Sequence, residues 1–276
     1  MKELKFSLIM PTLNRRDEVK NFLKALNNQT YTNFELIIID QNRDDLIVDI
    51  VDVFTNNFVI VYVRSDIKGL SYNRNLGLKY AKGDLICFPD DDCEYPIDLL
   101  SKVLKEFNSN PDIGIITGST KDKVSGKSYL NSPSKPKKVN YLNIFSTAIS
   151  FTIFVNTRKC PVYKFDKKLG VGSKFGSSEE TDFLIQYLNS GFNIYFNPEI
   201  IVYHPVNNSS ESLSRSFNYA LGFGAIHRKY FSTFYFIYFF RFCIHLIVNF
   251  IRILFFVYPQ RNFYILRGKI LGFIKY

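Results

Sequence analysis

Short apolar runs alternate with amphipathic segments from Phe6 to Ile116, and this alternation constrains the fold more than any other feature of the chain. The apolar runs predict five strands, at Phe6–Met10, Phe34–Ile39, Phe58–Val63, Leu85–Phe88 and Ile113–Ile116. The periodicity of the intervening segments predicts four helices, near Arg15–Asn28, Asp44–Asn56, Ser71–Ala81 and Pro96–Asn108. Because strands that alternate with helices build a mostly parallel sheet flanked by helices, we predict a Rossmann-like α/β fold.

The alternation stops at Ser119–Asn140, a segment rich in Lys, Ser, Gly and Pro that predicts a mobile surface loop and suggests a lid. Beyond it the pattern predicts a strand at Ile149–Val155, a helix at Glu179–Asn189 and a strand at Ile200–Tyr203. A chain of 276 residues is long enough to form one domain of moderate size with an appendage.

Charge divides the chain into two regions. All 25 Asp and Glu residues lie at or before Glu211, whereas nine of the 35 Lys and Arg residues and 20 Phe and Tyr residues follow it. We therefore predict a nearly neutral domain at 1–211 and a basic aromatic region at 212–276. Such a tail is typical of binding to an anionic membrane surface, and residues 230–276 are the expected contact. Nucleic acid is not an expected partner, because nucleic-acid-binding proteins more often have basic residues spread over the folded body.

The segment Phe231–Tyr258 is intensely apolar, but its longest uncharged pieces are shorter than the roughly 20 residues that span a bilayer. Four polar residues interrupt it at helical spacing and form one stripe: Arg241, His245, Asn249 and Arg252. We predict an amphipathic helix in the membrane interface, with the long side chains of the stripe reaching toward headgroups. Packing on the body or on a second subunit of a homo-oligomer is the alternative, and a membrane span is a third.

The cysteines point to a reducing compartment. Cys87, Cys93, Cys160 and Cys243 form no CxxC pair and have no metal-type spacing, as expected of reduced thiols in the cytosol. The first apolar run, Phe6–Met10, is too short for the core of a signal peptide. We expect a cytoplasmic protein that lies peripherally on the inner face of the cell membrane.

Three consecutive carboxylates, Asp90, Asp91 and Asp92, follow the predicted strand at Leu85–Phe88. Two unit charges about 4 Å apart repel by roughly 4 kcal/mol at an effective dielectric of about 20, so such a cluster rarely lacks a compensating partner. A divalent cation that prefers oxygen ligands, Mg²⁺ or Mn²⁺, is the simplest partner, and such cations bind phosphates. The alternative is a solvated acidic loop before the helix that starts near Pro96.

Polar residues also follow other predicted strands, at Pro11–Arg15 and at Asp40. Ligands of open parallel sheets collect at the carboxyl ends of strands, so these residues and the three carboxylates are expected at one edge. A dinucleotide-binding domain would have a Gly-rich turn after the first strand, where this chain has Pro11-Thr12-Leu13-Asn14-Arg15. Dinucleotide binding is therefore disfavoured.

A specific resemblance rests on five motifs in a fixed order. They are Met10-Pro11-Thr12-Leu13-Asn14-Arg15, Ile37-Ile38-Ile39-Asp40, Gly69-Leu70-Ser71-Tyr72-Asn73-Arg74-Asn75, Gly83-Asp84-Leu85-Ile86-Cys87-Phe88-Pro89-Asp90-Asp91-Asp92 and Glu179-Glu180-Thr181-Asp182-Phe183. In this order the chain resembles the family 2 glycosyltransferases with a GT-A fold, of the type that builds bacterial surface polysaccharides, over roughly Phe6 to Pro205.

The resemblance implies the donor site. Asp90 and Asp92 match the outer carboxylates of the DxD motif of the family, with Asp92 as the direct metal ligand and Asp90 facing ribose or metal-bound water. Pro11, Thr12 and Arg15 match positions that shape the base and ribose pocket.

Further donor contacts follow from the same resemblance. Asp40 matches the acid that accepts from the ring N–H of the base, although Gln41-Asn42-Arg43 follows it where the family more often has an acidic-Gly-Ser run. Asn73 or Arg74 is expected on ribose or phosphate, and for Asn73 a polar helix N-terminus is an equal alternative. Asp91 is assigned to the donor site with its neighbours.

The family position of the general base falls on Glu180, where relatives often have Asp. Glu180 shares a helix face with the apolar residues three and four positions later, whereas Asp182 is rotated away. Glu179 and Asp182 are the alternative catalytic residues. A capping box, in which Glu180 bonds back to the N–H of Ser177, is the structural alternative.

His204 follows the predicted strand at Ile200–Tyr203. A lone His there is usually structural, but family 2 enzymes often have a metal-ligating His at this point. An imidazole ligand beside Asp92 tilts the expected cofactor toward Mn²⁺ over Mg²⁺.

These implications define an expected function. It is the inverting, metal-dependent transfer of one sugar from a nucleotide-sugar donor, with UDP-sugar as the leading choice, to a hydroxyl of a lipid-linked or surface glycan. Polymerisation is disfavoured because the chain lacks Trp, and with it the QxxRW motif of processive synthases. The alternatives are a nucleotide-sugar-binding protein without activity and a membrane scaffold with a degenerate GT-A domain.

Overall fold

The computed structural model describes residues 3–128, 132–205, 212–232 and 235–276. These residues belong to two compact units. One unit comprises Met1–Lys68, Tyr72–Lys164 and Phe183–Val206, and the other comprises Gly69–Ser71, Phe165–Asp182 and Asn207–Tyr276. The predicted boundary between 1–211 and 212–276 lies at Glu211, outside the described residues.

The first unit is built on a mixed sheet. In the described part of the chain its eight strands are β1 (Phe6–Thr12), β2 (Phe34–Asp40), β3 (Val59–Arg64), β4 (Leu85–Cys87), β5 (Ile115–Lys121), β6 (Lys137–Lys138), β7 (Phe154–Asn156) and β8 (Ile194–Tyr203). Their order is β3-β2-β1-β4-β7-β5-β8-β6. The pairs β1–β2, β1–β4, β2–β3 and β5–β8 are parallel, while β7 is antiparallel to β4 and β5, and β6 is antiparallel to β8. This sheet confirms the predicted α/β class.

The strands and helices of this unit follow the apolar pattern. Every residue of β1 and β2 is buried, as expected of central parallel strands that are covered on both faces. The first helix, α1 (Arg16–Asn27), buries Val19, Phe22, Leu23 and Leu26, which recur every three or four residues. The acidic residues in its first turn stabilise the helix, because they interact favourably with the positive end of the helix dipole.

The other helices before residue 190 are α2 (Val48–Phe54), α3 (Leu70–Gly77), α4 (Leu99–Ser109), α5 (Ile144–Thr147) and α6 (Glu179–Asn189). The four helices predicted before Ile116 are confirmed, and each is shorter than predicted, although α3 begins one residue earlier and α4 ends one residue later. The strand predicted at Ile149–Val155 is wrong over most of its length, because Ser150–Thr152 forms a 3₁₀ turn and only Phe154–Asn156 enters the sheet.

The segment Ser119–Asn140 is only partly a loop. Strand β5 extends to Lys121, and Lys137–Lys138 adds a short edge strand beside β8. Residues 129–131 of the predicted loop lie outside the described residues.

Three helices, α7 (Leu213–Lys229), α8 (Tyr235–Leu254) and α9 (Pro259–Lys275), build most of the second unit and confirm the predicted helical tail. Helices α7 and α9 cross closely at glycines. A Cβ atom on Gly224 would lie 2.1 Å from the Lys269 carbonyl oxygen, and one on Gly272 would lie 2.1 Å from the Leu221 carbonyl oxygen. Only glycine permits this backbone separation.

The predicted polar stripe of α8 occupies one helical face, but its central residues face α7 and α9 and not lipid headgroups. His245 packs on Phe223 of α7 with ring centroids 4.8 Å apart. Asn249 is buried, donates to Asn262 Oδ1 over 2.8 Å and accepts from Lys269 Nζ over 2.6 Å. Among the described residues one helical segment, Phe236–Leu254, is long and apolar enough to cross a membrane.

Candidate active site

The carboxyl ends of three neighbouring parallel strands bring the predicted donor residues to one edge of the sheet. Strand β1 lies between β2 and β4, and its last residue, Thr12, pairs in register with Asp40, the last residue of β2. The three carboxylates begin three residues after β4 ends at Cys87. The strand topology thus produces the predicted clustering at the sheet edge.

His204 reaches the carboxylates from a distant strand. Tyr203, the last residue of β8, exchanges backbone hydrogen bonds with Glu94, at 2.8 and 3.0 Å. This pairing holds the end of β8 beside the segment that follows Asp92. As a result His204 Nε2 lies 2.9 Å from Asp92 Oδ1.

Two further contacts orient this pair. The His204 ring stacks on Phe151 with a centroid separation of 4.8 Å and an interplanar angle of 6°. Arg15 Nη2 lies 3.8 Å from Asp92 Oδ2. Although burial favours the neutral acid, the hydrogen bond from His204 and the charges of His204 and Arg15 hold the pKa of Asp92 below its ordinary value. Burial works against the imidazolium, but the hydrogen bond and charge of Asp92 raise the pKa of His204.

The other two carboxylates have separate partners. Asp91 Oδ2 accepts from Thr12 Oγ1 over 2.7 Å. Burial, with the charges of Asp90 and Asp92, raises the pKa of Asp91 to about 7. Asp90 Oδ1 accepts from Arg74 Nη2 over 2.7 Å, and the Arg74 side chain is fully buried. The three carboxylates are therefore chemically distinct.

Asp40 is fully buried, and it is oriented by neighbours that we did not predict. Its Oδ1 accepts from the backbone N–H of Asn42 over 2.9 Å and from Asn42 Nδ2 over 2.6 Å, and its Oδ2 accepts from Tyr62 Oη. The Asn42 side chain is therefore part of the local structure at the point where the chain departs from the family pattern.

The remaining residues that we predicted for the donor site are Pro11, Arg15 and Asn73. Pro11 is a buried residue of β1. Arg15 forms an ion pair with Glu18 at 2.7 Å. Asn73 is buried in α3 and donates from Nδ2 to the Ile67 carbonyl oxygen over 2.8 Å. This bond gives Asn73 a structural role in α3.

The first turn of α6 contains all three candidate bases, Glu179, Glu180 and Asp182. The capping box does not form, since the Ser177 N–H donates to the Phe175 carbonyl oxygen over 2.9 Å. Glu180 is partly buried and accepts from Thr181 Oγ1 over 3.2 Å. Burial and the adjacent Glu179 carboxylate raise the pKa of Glu180 well above its ordinary value.

Asp182 belongs to a buried ionic network of the second unit. Lys229 Nζ lies 2.7 Å from Asp182 Oδ1 and 2.7 Å from Asp166 Oδ2. Tyr230 Oη donates to Asp182 over 2.8 Å, and Tyr276 Oη donates to Asp166 over 2.6 Å. No local sequence signal pairs these residues, and we did not predict the network.

Among the described residues no group of three or more His, Cys, Asp and Glu side chains is arranged to hold a metal ion. Asp92 and His204 nevertheless supply one carboxylate oxygen and one imidazole nitrogen 2.9 Å apart. Ligands about 2.1 Å from one octahedral ion lie about 3 Å from each other, so these two atoms fit adjacent positions on one cation.

Comparison with known sequences identifies relatives of the chain. Residues 7–167 match the family model Glycosyl transferase family 2. An uncharacterized glycosyltransferase of Haemophilus influenzae is 28% identical over 214 residues, which cover 75% of this chain and 70% of that protein. A GalNAc(5)-diNAcBac-PP-undecaprenol beta-1,3-glucosyltransferase of Campylobacter jejuni is 30% identical over 107 residues, 38% of this chain but only 35% of that protein.

Solved structures share the fold. A mannosyltransferase from Pyrobaculum calidifontis in complex with GDP-Man and Mn²⁺ aligns with a TM-score of 0.64 at 13% identity, over 99% of this chain and 74% of that one. S. aureus TarS 1-349 in complex with UDP-GlcNAc aligns with a TM-score of 0.62 at 19% identity, over 83% of this chain and 67% of that one. These likenesses establish the GT-A fold. With the match to more than half of its length, the chain belongs to glycosyl transferase family 2.

Proposed function

We propose that this protein transfers one sugar from a nucleotide-sugar, with UDP-sugar as the leading donor, to a hydroxyl of a lipid-linked or surface glycan, with inversion at the anomeric carbon and dependence on Mn²⁺ or Mg²⁺. The observation that carries the proposal is the contact between Asp92 and His204, at 2.9 Å. These residues are far apart in sequence and share the sheet edge where α/β folds bind ligands.

Asp92 and His204 would hold the cation. Cations in nucleotide sites usually have few protein ligands and also bind phosphate oxygens, so a cation on these two residues would help to hold the donor diphosphate. An imidazole nitrogen beside a carboxylate oxygen suits Mn²⁺ better than Mg²⁺. When bound, the cation neutralises the charge that develops on the leaving diphosphate.

The donor nucleotide would occupy the edge formed by β1, β2 and β4. Thr12 and Asp40 are in register at the ends of β1 and β2, where Pro11 and Arg15 would border the ribose. Asp40 already accepts from Asn42 and Tyr62, and its bond from the base would be an additional one. Arg74 holds Asp90 at 2.7 Å, which would aim that carboxylate at ribose or metal-bound water.

Glu180 would act as the general base that takes the acceptor proton. Its raised pKa supports this role, because a carboxylate with a higher pKa accepts a proton more readily from a hydroxyl. Asp182 is a weaker candidate because its carboxylate already pairs with Lys229 and accepts a hydrogen bond from Tyr230. Glu179 is buried and would assist by raising the pKa of its neighbour. Direct attack on the anomeric carbon needs no covalent enzyme intermediate and inverts its configuration.

The printed names of the relatives support the donor and acceptor classes. The C. jejuni relative is named for a glycan on an undecaprenol diphosphate, which favours a lipid-linked acceptor. The structural neighbours contain UDP-GlcNAc and GDP-Man, so the nucleotide is assigned to UDP only as the leading choice. The thiols of Cys87, Cys93, Cys160 and Cys243 are free, as expected in the cytoplasm, where we place the reaction.

A donor screen tests the proposal. Nucleotide-sugars are incubated with the full chain with and without Mn²⁺, and released nucleotide is measured. We expect hydrolysis of one donor only with the cation, and an inverted anomer when an acceptor is added. Cation-dependent binding without hydrolysis or transfer would instead identify a nucleotide-sugar-binding protein.

A further inference from the structure

Helix α8 is apolar on the side that faces away from α7 and α9. Its exposed side chains are large and apolar: Phe236, Ile237, Phe240, Ile244, Ile247, Val248, Phe250, Ile251 and Leu254. We call these residues the α8 face. A water-soluble helix normally buries such residues and exposes polar ones, and isolated exposed hydrophobes are common whereas a continuous patch of them is not.

Asn249 lies on the opposite side of α8, where it is buried and hydrogen-bonded within the helical unit. Asn249 bridges Asn262 and Lys269 of α9 through hydrogen bonds of 2.8 and 2.6 Å. Lys269 also lies over the Phe223 ring of α7, 4.8 Å from its centroid. These contacts fix the rotation of α8, so the α8 face points outward because of specific inward bonds.

The turn between α8 and α9 extends the apolar surface. Phe255, Phe256 and Tyr258 are 75%, 84% and 76% exposed. Phe256 and Tyr258 also have positive φ angles, of 54° and 44°, which bulky residues rarely adopt. The chain thus presents three aromatic rings at one tip.

Charge identifies what covers this surface. No Asp or Glu follows Glu211, whereas Arg252, Arg261, Arg267 and Lys275 are exposed on α8 and α9. Two copies that met through this surface would bring only positive charges together, which is unfavourable. Anionic headgroups complement those charges, and the acyl region accepts the aromatic side chains.

We infer that the α8 face and the aromatic tip at Phe255–Tyr258 insert into one leaflet of an anionic membrane. The helix lies in the interface in this arrangement and does not cross the bilayer, because the bonds of Asn249 tie it to α9 along one side. The partner is therefore a lipid surface, and its recognition is independent of the sugar-transfer reaction proposed above.

Vesicle flotation of the full chain tests this inference. Wild type is compared on phosphatidylcholine vesicles with and without about 30 mol% phosphatidylglycerol. The test variant is Phe255→Asp/Phe256→Asp, and the matched control is Val53→Asp/Val124→Asp, which changes two exposed apolar residues of the first unit. Circular dichroism and nucleotide binding on the same samples establish that each variant is folded, and they separate this test from failure of the proposed function.

We expect wild type and the control to float with anionic vesicles, and the tip variant to lose binding by roughly tenfold or more. Added salt should weaken binding because the headgroup attraction is screened. Absence of flotation by wild type, or equal flotation by the tip variant, would overturn the inference. If wild type forms a dimer in vesicle-free buffer and the tip variant does not, the surface belongs to a second copy. If alkaline carbonate fails to release the membrane-bound protein, α8 is a membrane span.

Discussion

Lys229 Nζ lies 2.7 Å from Asp182 Oδ1, and this contact distinguishes the acids at the start of α6. Asp182 is fully buried and also accepts from Tyr230, so its carboxylate is used by the fold. Among the described residues, no ion pair like that of Asp182 with Lys229 is seen for Glu180, two residues earlier. Burial raises the pKa of Glu180. The contact therefore favours Glu180 over Asp182 as the base.

Replacement of Lys229 by methionine should destabilise the protein. Lys229→Met leaves the carboxylates of Asp182 and Asp166 without their shared cation, and we expect a loss of about 2–3 kcal/mol in the free energy of unfolding. Urea denaturation measures it. The exposed Lys159→Met is the matched control and should change stability by less than about 0.5 kcal/mol. Equal stability of the two variants would contradict a stabilising role for the network.

Replacement of Glu180 by glutamine should remove catalysis but not donor binding. Glu180→Gln keeps the shape of the side chain and cannot accept the acceptor proton, so we expect turnover to fall by at least about 100-fold with a donor KM near that of wild type. Steady-state kinetics measure both values. Glu179→Gln is the neighbouring control and should retain more activity. A larger loss of turnover in Glu179→Gln or in a folded Asp182→Asn would reassign the base.

The pH dependence of turnover should report the raised pKa of Glu180. The base must be ionised, so turnover should decline as pH falls through a pKa above the ordinary glutamate value of 4.5. The acid limb of the kcat profile measures it, and the residual activity of Glu180→Gln should lack this limb. A wild-type limb at or below the ordinary value would contradict the assignment.

The same pKa shift has a consequence for stability. A carboxyl whose pKa is raised in the folded state favours folding when protonated and opposes it once ionised. At neutral pH, Glu180→Gln should therefore increase the free energy of unfolding, by on the order of 1 kcal/mol. Urea denaturation at neutral and acidic pH should show the gain only at the higher pH. A loss of stability at both pH values would be inconsistent with a destabilising ionised carboxyl.

The crossing of α7 and α9 should tolerate no added methyl group at Gly272. A Cβ there would lie 2.1 Å from the Leu221 carbonyl oxygen, so Gly272→Ala must displace one helix and should cost about 2 kcal/mol or more. Thermal and urea unfolding measure it. Ile274→Ala, at an exposed position of the same helix, is the control and should be nearly neutral. A stable Gly272→Ala variant would mean that the helices cross less closely.

The apolar pattern predicted much of the fold. Strands β1 to β5 were identifiable as continuous apolar runs, and helices α1 to α4 were identifiable because apolar residues recur every three to four residues. Strand β7 was overestimated because an apolar run does not reveal where pairing starts. Its start depends on β4 and β5, between which Phe154–Asn156 lies.

The orientation of the α8 stripe could not be derived from its spacing. Helical periodicity identifies residues that share a face, but only tertiary contacts determine which face is inside. Here Asn262 and Lys269 of α9 supply the polar partners that turn Asn249 inward. The same limit explains why the pairing of Lys229 with Asp182 was not predicted, since it joins residues 47 positions apart without a local pattern.

The candidate donor site was predictable as a set of residues but not as a set of contacts. Motif order identified Asp40, Asp90, Asp92 and His204, and parallel strand topology explains their common edge. The roles of Asn42 and Tyr62 on Asp40 were missed. The Asn42 contact depends on the conformation of the chain after β2, and the Tyr62 contact depends on the register of β3 beside β2.

Calorimetric titration of UDP and GDP into the full chain, with and without Mn²⁺, tests the central claim most directly. We expect at least one nucleotide to bind about tenfold or more tightly with the cation, and Asp92→Asn to lose that enhancement. Asp112→Asn, at an exposed position of the same unit, is the control and should keep it. The account would be contradicted if Mn²⁺ still enhanced nucleotide binding by Asp92→Asn as much as by wild type, or if nucleotide affinity of wild type were the same with and without Mn²⁺. Either result would exclude a metal-dependent donor site at Asp92 and His204.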